Sequence, residues 1–555
     1  MEKIWKVAEK KFDDPINQIL YNRGIVEESE IEKFLKPDFS RDLCDPFLMK
    51  NLRDAAEQIQ AAEKAGTKVG IFADYDADGI PAAALLFKAL KQIGIDSEIY
   101  IPSREGGYGL SKEGIDYLIS KKCGLIVTVD LGIRNIDEAK YCREKNIKLI
   151  ITDHHLPGET IPEADLVINP KQKGDKYPFK ELCGCGVAFK LVQGLSEYYP
   201  KKIDDKFLKW NLDLVAISTI ADVVPLVGEN RVFAKFGLHV MQKTRNIGLA
   251  ELIKISALKS EKISAYEVGF QIAPRINAPG RIDHATKSFE LLVTKDSNEA
   301  KELAIWLNEK NATRQLLMDR VEAEASSKIE KENLAQNKII IVTGEWQKGI
   351  LGPTASRLVE KFGRPLILFS VGETEYTGSA RSISGVNIVE LFEKVKETIK
   401  KFGGHKGAAG ISVDKDKFEK FETEIIGLAI ETISNEMLQK KVAVDMEIAP
   451  SKLTKKLYEE IILFEPFGMG NPRPVFLSEN IEMAYPRFVG REENHLSFKV
   501  KDGDKLLKAI SFRFPYNKSM IAETRHFDIL YSIELDEWNG ESNLNLKVSD
   551  IKSAN

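Results

Sequence analysis

Three nearly continuous apolar runs of strand length mark the first third of the chain: KVGIFA from Lys68 to Ala73, GLIVTV over 124–129 and IKLIIT over 147–152. Each follows a polar stretch compatible with a helix, and unbroken β-branched runs are what parallel strands covered on both faces look like. The alternation predicts a doubly wound α/β domain over 51–300. Residues 1–50 read as a separate polar, helical segment. From about 185 the pattern is mainly helical until the Pro/Gly cluster APRINAPGR at 273–281, which reads as a loop. Residues 301–336 contain neither Pro nor Gly, which predicts one connecting helix of about 50 Å. A second α/β domain opens with KIIIVTG at 338–344 and occupies 337–440. The last segment, 441–555, carries short alternating runs (VAVDMEI, HLSFKV, LKAISF, FDILYSIEL) at the spacing of a small antiparallel β-barrel.

Composition narrows the classes. At 555 residues, 43% hydrophobic and 30% charged, the chain is an ordinary multidomain globular protein. No apolar run approaches the roughly 18 residues of a membrane span, and the charged start MEKIWKVAEKKFDD lacks the apolar core of a signal peptide. Five cysteines do not make a disulfide scaffold, so a cytosolic, membrane-free protein is expected. A net charge of −4 argues against a charge-driven DNA coat but leaves room for a local basic groove.

The acidic groups are not scattered. The three apolar runs end in Asp74-Tyr-Asp76-Ala-Asp78-Gly79, in Asp130-Leu-Gly132 and in Asp153-His154-His155. Ligands of parallel α/β sheets bind at the carboxyl ends of strands, so these groups should converge on one crevice, with Asp222 after LDLVAISTIA as a fourth contributor. A single Asp at a strand end is ordinarily a cap or a turn residue. Three strand ends with the same chemistry, one carrying a His pair, point instead to a metal centre. A calcium loop is excluded, because the position that needs Glu holds Leu85. Clustered carboxylates repel and protonate unless cations hold them, and Asp with His suits Mn²⁺ or Mg²⁺. So many ligands suit two divalent ions, an arrangement that hydrolyses phosphate esters or anhydrides.

DYDADG, the Asp at 130, DHH at 153–155 and ADVVPL at 221–226, in that order, resemble the DHH phosphoesterase family. CGCGVAFKL (183–191), APRINAPGRI (273–282), GSARS (378–382), FGGHKGAAG (402–410) and EPFGMGNPRPVF (465–476) extend the resemblance over about 70–480. Within the family the chain is similar to its single-strand-specific 5′→3′ exodeoxyribonucleases. That implies a DHH catalytic domain, a connecting helix, a DHH-associated domain and an OB-fold. It also implies metal ligands Asp76, Asp78, Asp130, His154 and Asp222, with Asp130 bridging and Asp74 beside them. His155 would face the metals or the scissile phosphate, and Asp153 would orient its neighbours.

On the substrate side the resemblance assigns Ser379, Arg381 and Arg104 to the terminal 5′-phosphate, with Arg275, Asn277, Arg281, Gly403, Gly404 and His405 lining the strand. Arg offers bidentate contacts to phosphate, and Gly admits close backbone approach. The implied partners are single-stranded DNA with a 5′ end, a helicase and a single-strand-binding protein, acting on a monomer in DNA repair and recombination. Where family members commonly carry Trp-His-x-Gly, this chain has Trp346-Gln347-Lys348-Gly349. Cys183-Gly-Cys185 lacks zinc-site spacing and reads as packing. No GxxxxGK[ST] loop is present. Two rivals remain: a DHH enzyme of short oligoribonucleotides or cyclic dinucleotides, and a non-catalytic single-strand-binding scaffold.

Overall fold

The buried apolar runs form the centre of a five-stranded, all-parallel sheet in the order Ser97–Tyr100, Lys68–Ala73, Cys123–Val129, Lys148–Thr152, Leu166–Ile168. The structure, a computed structural model, describes residues 3–103, 109–259, 261, 263–514, 521, 524–538 and 541–554. Register is what matters for function: Ala73 is level with Val129, and Val129 with Thr152. The ladder continues one residue further, Asp74 N–H to Val129 O, Asp130 N–H to Thr152 O and Asp153 N–H to Ile168 O, so three carboxylates stand side by side at one sheet edge. One sheet face packs Phe72, Ile126 and Ile151 against Ile115, Leu118 and Ala139. The other is covered by helices Gly79–Ile93 and Gly184–Tyr198, and helix Leu212–Ala221 behind them is buried nearly all round.

The long helix runs over Ser297–Lys331, 35 residues or about 52 Å at the α-helical rise. It begins earlier than 301 because Asp296 caps it, accepting from the N–H groups of Asn298 and Glu299. The second α/β domain has a mixed sheet ordered Lys401–His405, Ala408–Asp414, Glu375–Arg381, Leu366–Val371, Ile340–Gly344. Both domains and the long helix belong to one compact unit, Cys44–Asp222 with Phe236–Lys440.

A second compact unit gathers Lys3–Leu43, Val223–Lys235 and Lys441–Asn555. Its five strands Phe476–Val489, His495–Asp502, Lys505–Ser511, Glu541–Ser553 and His526–Trp538 close into a barrel, the last pairing back onto the first. The N-terminal fifty residues differ from a separate helical segment. Ile4–Val7 is a strand paired in parallel with Lys441–Val444, and Ile19, Leu20 and Phe34 enter the barrel core. Arg231 is fully buried there, donating to the carbonyls of Phe34, Leu463 and Phe464. Among the described residues no helix is long and apolar enough to cross a membrane.

Candidate metal centre and phosphate-binding face

The DYDADG turn is folded by its own carboxylates. Asp74 Oδ1 accepts the Tyr75 N–H at 2.8 Å, and Asp76 Oδ1 accepts those of Asp78 and Gly79 at 2.8 and 3.1 Å. Asp78 is clamped from outside the turn: the N–H groups of Gly184 and Cys185, at the start of a 15-residue helix, donate to its two oxygens at 2.6 and 2.7 Å. CGCG therefore does more than pack; its backbone holds an acidic group, and no side-chain pattern announces a backbone donor. Gly184 is also a clearance, since a Cβ there would stand 2.3 Å from Asp130 Oδ1. Asp130 itself adopts φ 64°, a left-handed conformation that Asp tolerates better than most residues.

His154 Nε2 stands 3.2 Å from Asp130 Oδ1, 3.7 Å from Asp222 Oδ2 and 3.8 Å from Asp78 Oδ2. The donor atoms form sets that could each hold a cation: Asp74, Asp76 and Asp130; Asp78, His154 and Asp222; and Asp130 with His154 and His155. Asp222 is the C-cap of helix Leu212–Ala221. Burial and the neighbouring acids raise the carboxyls of Asp130 and Asp222 well above the ordinary range and that of Asp78 to about 6. Burial, with His155 adding repulsion, lowers His154 to about 3, so it is neutral near pH 7 as a metal ligand must be. Asp130 Oδ1 and His154 Nε2 are buried, close together and without hydrogen-bond partners. Orphaned acceptors beside crowded carboxylates cost free energy, and divalent cations remove that cost. The residues fit such ions.

Asp153 belongs to none of the donor sets and organises the loop. Its Oδ1 accepts from the His154 and His155 N–H groups and meets His155 Nδ1 at 2.7 Å, while Oδ2 accepts from Ile133 N–H at 2.9 Å. Burial alone would lower the His155 pKa; the Asp153 hydrogen bond and charge outweigh it and raise the imidazole.

The APRINAPGR segment is helical rather than a loop. Ala273–Asn277 and Pro279–Ile282 are short helices whose prolines sit in the first turn, where a missing N–H costs nothing. Asn277 Oδ1 accepts the Ala77 N–H at 2.7 Å, so this residue holds the acidic turn. Arg275 donates to Gln271 O and Asn308 Oδ1. Arg281 Nη1 reaches Gly349 O at 3.3 Å, at the start of helix Lys348–Phe362, where Gln347 is the exposed N-cap. Five residues on, Gly352 leaves space that Arg381 fills: a Cβ there would lie 2.6 Å from Arg381 Nη2. Arg381 also donates to Ser379 Oγ at 3.0 Å and Ser356 Oγ at 3.1 Å. Ser356 had no signal in the sequence.

Ser379, Gly410 and Gly403 share one register across three strands, and Arg381, Ala408 and His405 share the next on the same face. Gly403 and Gly410 have open space where a side chain would be; Gly404 faces the other way, where a Cβ would meet Ala408 O at 2.3 Å. Gly403 therefore opens the surface, and Gly404 serves the sheet. His405 is lowered by burial and by Arg381, and its Nδ1 accepts the Gly407 N–H. Arg104 lies outside the described residues.

A parallel-sheet edge of acids and imidazoles, a long helix and a mixed second sheet presenting Ser, Arg and His define a phosphoesterase of the DHH class. The models of the DHH family N-terminal domain, the DHHA1 domain and the RecJ OB domain match residues 68–219, 336–431 and 444–550. The chain is 32% identical to the single-stranded-DNA-specific exonuclease RecJ of Haemophilus influenzae over 97% of this chain and 96% of that one. To the RecJ of Bacillus subtilis it is 34% identical, covering 99% and 69% of the two chains. A crystal structure of Thermus thermophilus RecJ in complex with Mn²⁺ superposes with a TM-score of 0.85 at 28% identity, covering all of this chain and 80% of the other. This chain belongs to the RecJ family.

Proposed function

We propose that the protein is a divalent-metal-dependent exonuclease that hydrolyses single-stranded DNA from its 5′ end to 5′-mononucleotides. The observation that carries this reading is the orphaned Asp130–His154 pair between two acidic donor sets, in a chain of the RecJ family. Asp74, Asp76 and Asp130 would hold one ion and Asp78, His154 and Asp222 the other, with Asp130 common to both. Bound Mn²⁺ or Mg²⁺ supplies the activated water and the charge neutralisation that phosphodiester cleavage needs. The chain's own residues do the rest. Asp153 fixes His155 through Nδ1 and, against burial, raises its imidazole pKa, which would suit the ring to donate from Nε2 to a phosphoryl oxygen. Ser379 and Arg381 grip the terminal 5′-phosphate, Gly403 and His405 lie along the backbone beyond it, and Arg281 adds charge between the two domains. Gln347, exposed at the N-cap of the neighbouring helix, contributes a hydrogen bond. Register is then set by a strand end and not by base sequence.

The OB barrel adds contacts along the strand. The sequence has no phosphate-binding loop of a nucleotide-driven motor, so a helicase must open the substrate; a single-strand-binding protein, a monomeric state and a cytosolic location complete the proposal. The test is one strand labelled at either end, with and without a 5′-phosphate, in Mn²⁺, Mg²⁺ or chelator. A 5′ label released at once as mononucleotide, only with metal and not by Asp130→Ala, is the expected result. Survival of the strand while two- to five-nucleotide RNA is consumed would assign the oligoribonuclease reading instead, and binding without cleavage in any metal a scaffold.

A further inference from the structure

The segment that carries Arg275, Asn277 and Arg281 begins with a feature that no step above uses. Ser264 and Glu267 form a reciprocal capping box around the short helix Ala265–Glu267, and the next five residues, Val268–Ile272, make a π-helical turn. The Ala273 N–H closes that turn on Val268 O, and Pro274 follows directly in the next helix. Tyr266 and Phe270 project from this stretch 62% and 68% exposed, with ring centroids 4.7 Å apart and planes inclined by 32°. Such a pair gains little from folding; its apolar area pays only when something covers it.

We infer that Tyr266 and Phe270 are a stacking platform for nucleobases of the single strand. Its continuity with the proposed site is direct. Arg275 Nη1 donates to Gln271 O at 2.6 Å, inside the same π turn, so a cation assigned to the strand backbone folds onto the platform's own scaffold. A Cβ on Gly269 would lie 3.7 Å from Ile220, on the helix that ends in Asp222, and Asn277 holds the Ala77 N–H of the acidic turn. Platform and arginine thus follow one another along a single stretch of backbone, and Asn277 on that stretch holds the acidic turn. The chemistry selects the occupant: an exposed aromatic pair on the turn that Arg275 donates to takes any base by its π-face and leaves the adjoining phosphate to the cation, without reading sequence.

The inference rests on the nuclease reading for its substrate, and the experiment separates the two. Kinetics of the wild type, of Tyr266→Ala with Phe270→Ala, and of the ring-keeping Tyr266→Phe are compared on 5′-phosphorylated strands carrying one abasic position, walked inward from the end. Stacking predicts that the double variant raises KM about tenfold with kcat within about twofold. The wild type should suffer the same rise when the abasic position reaches one fixed distance from the 5′ end, the double variant should be indifferent to it there, and Tyr266→Phe should match the wild type. Strand affinity in chelator provides the second readout. A wild type that cleaves nothing but loses affinity on the double substitution keeps the platform and overturns the nuclease. Unchanged KM and affinity, or an abasic penalty that persists undiminished in the double variant, overturns the platform.

Discussion

The two faces assigned to the substrate are built on opposite principles. At the carboxyl end of the parallel sheet, Asp78, Asp130 and His154 are buried and crowded, Asp130 Oδ1 and His154 Nε2 lack hydrogen-bond partners, and the protonation of all three is displaced from ordinary values. On the mixed sheet, Ser379, Arg381, Gly403 and His405 are at least partly open to solvent, and the serines already satisfy Arg381. The first region stores unfavourable electrostatics that only cations relieve, so it is made for chemistry. The second is relaxed and shaped by the absence of side chains, so it is made for binding. Damage to the first should appear in kcat and damage to the second in KM.

The largest effect expected from that contrast comes from a residue with no functional group. Gly184→Ala places a methyl 2.3 Å from Asp130 Oδ1 at the point where the backbone also holds Asp78. Displacing reacting geometry by an ångström costs about 100-fold, so kcat should fall by about that factor with KM nearly unchanged. Gly186→Ala, whose nearest contact would be an ordinary 3.4 Å, is the control and should stay within a few fold. Equal losses in the two variants would mean that helix packing, not the Asp130 geometry, had been measured.

Arg381→Ala probes the other region. A charge-assisted hydrogen bond to phosphate is worth about 1.5–3 kcal/mol, so preference for a 5′-phosphate over a 5′-hydroxyl end should drop by about tenfold or more in KM. Turnover of strand bound at saturation should hold. A fall in kcat as deep as that of Gly184→Ala would break the division between the two faces.

How far the sequence displays this architecture depends on whether the informative contacts are local. The acids at 74–78, 130 and 153–155 are legible because each directly continues an apolar run, and parallel register sets equivalent strand ends level. Asp78's clamp is not legible, because its donors are backbone N–H groups more than a hundred residues away that any sequence could supply. APRINAPGR misleads for a related reason: Pro and Gly signal a break, yet Pro in a first helical turn is well tolerated, and the segment makes two short helices. Ile4–Val7 is only four residues long, and its partner Lys441–Val444 lies near the other end of the chain. A polar N-terminus with helical spacing hides that strand.

The smallest expected effect tests the electrostatic half of the contrast without any assay of cleavage. Asp130 and Asp222 have raised pKa values, from burial first and neighbouring acids second, and His155 is raised against its burial by Asp153. A raised pKa stabilises the folded protein fully below the unfolded value and is lost as pH rises through the folded one. His154, lowered to about 3, acts oppositely but only below about 6.5, where its unfolded form begins to take a proton. Above pH 6.5 the groups of the centre therefore act in one direction: the metal-free protein should lose melting temperature as pH rises from 6.5, by about a few degrees given how Tm scales with stability in large domains. Saturating Mn²⁺ should flatten that slope by compensating the ionised carboxylates, and Asp130→Asn with Asp222→Asn should flatten it without metal. A slope of the same size in the double variant would place the pH dependence elsewhere in the fold and remove the charge-strain account of the metal centre, while leaving the relaxed phosphate face as described.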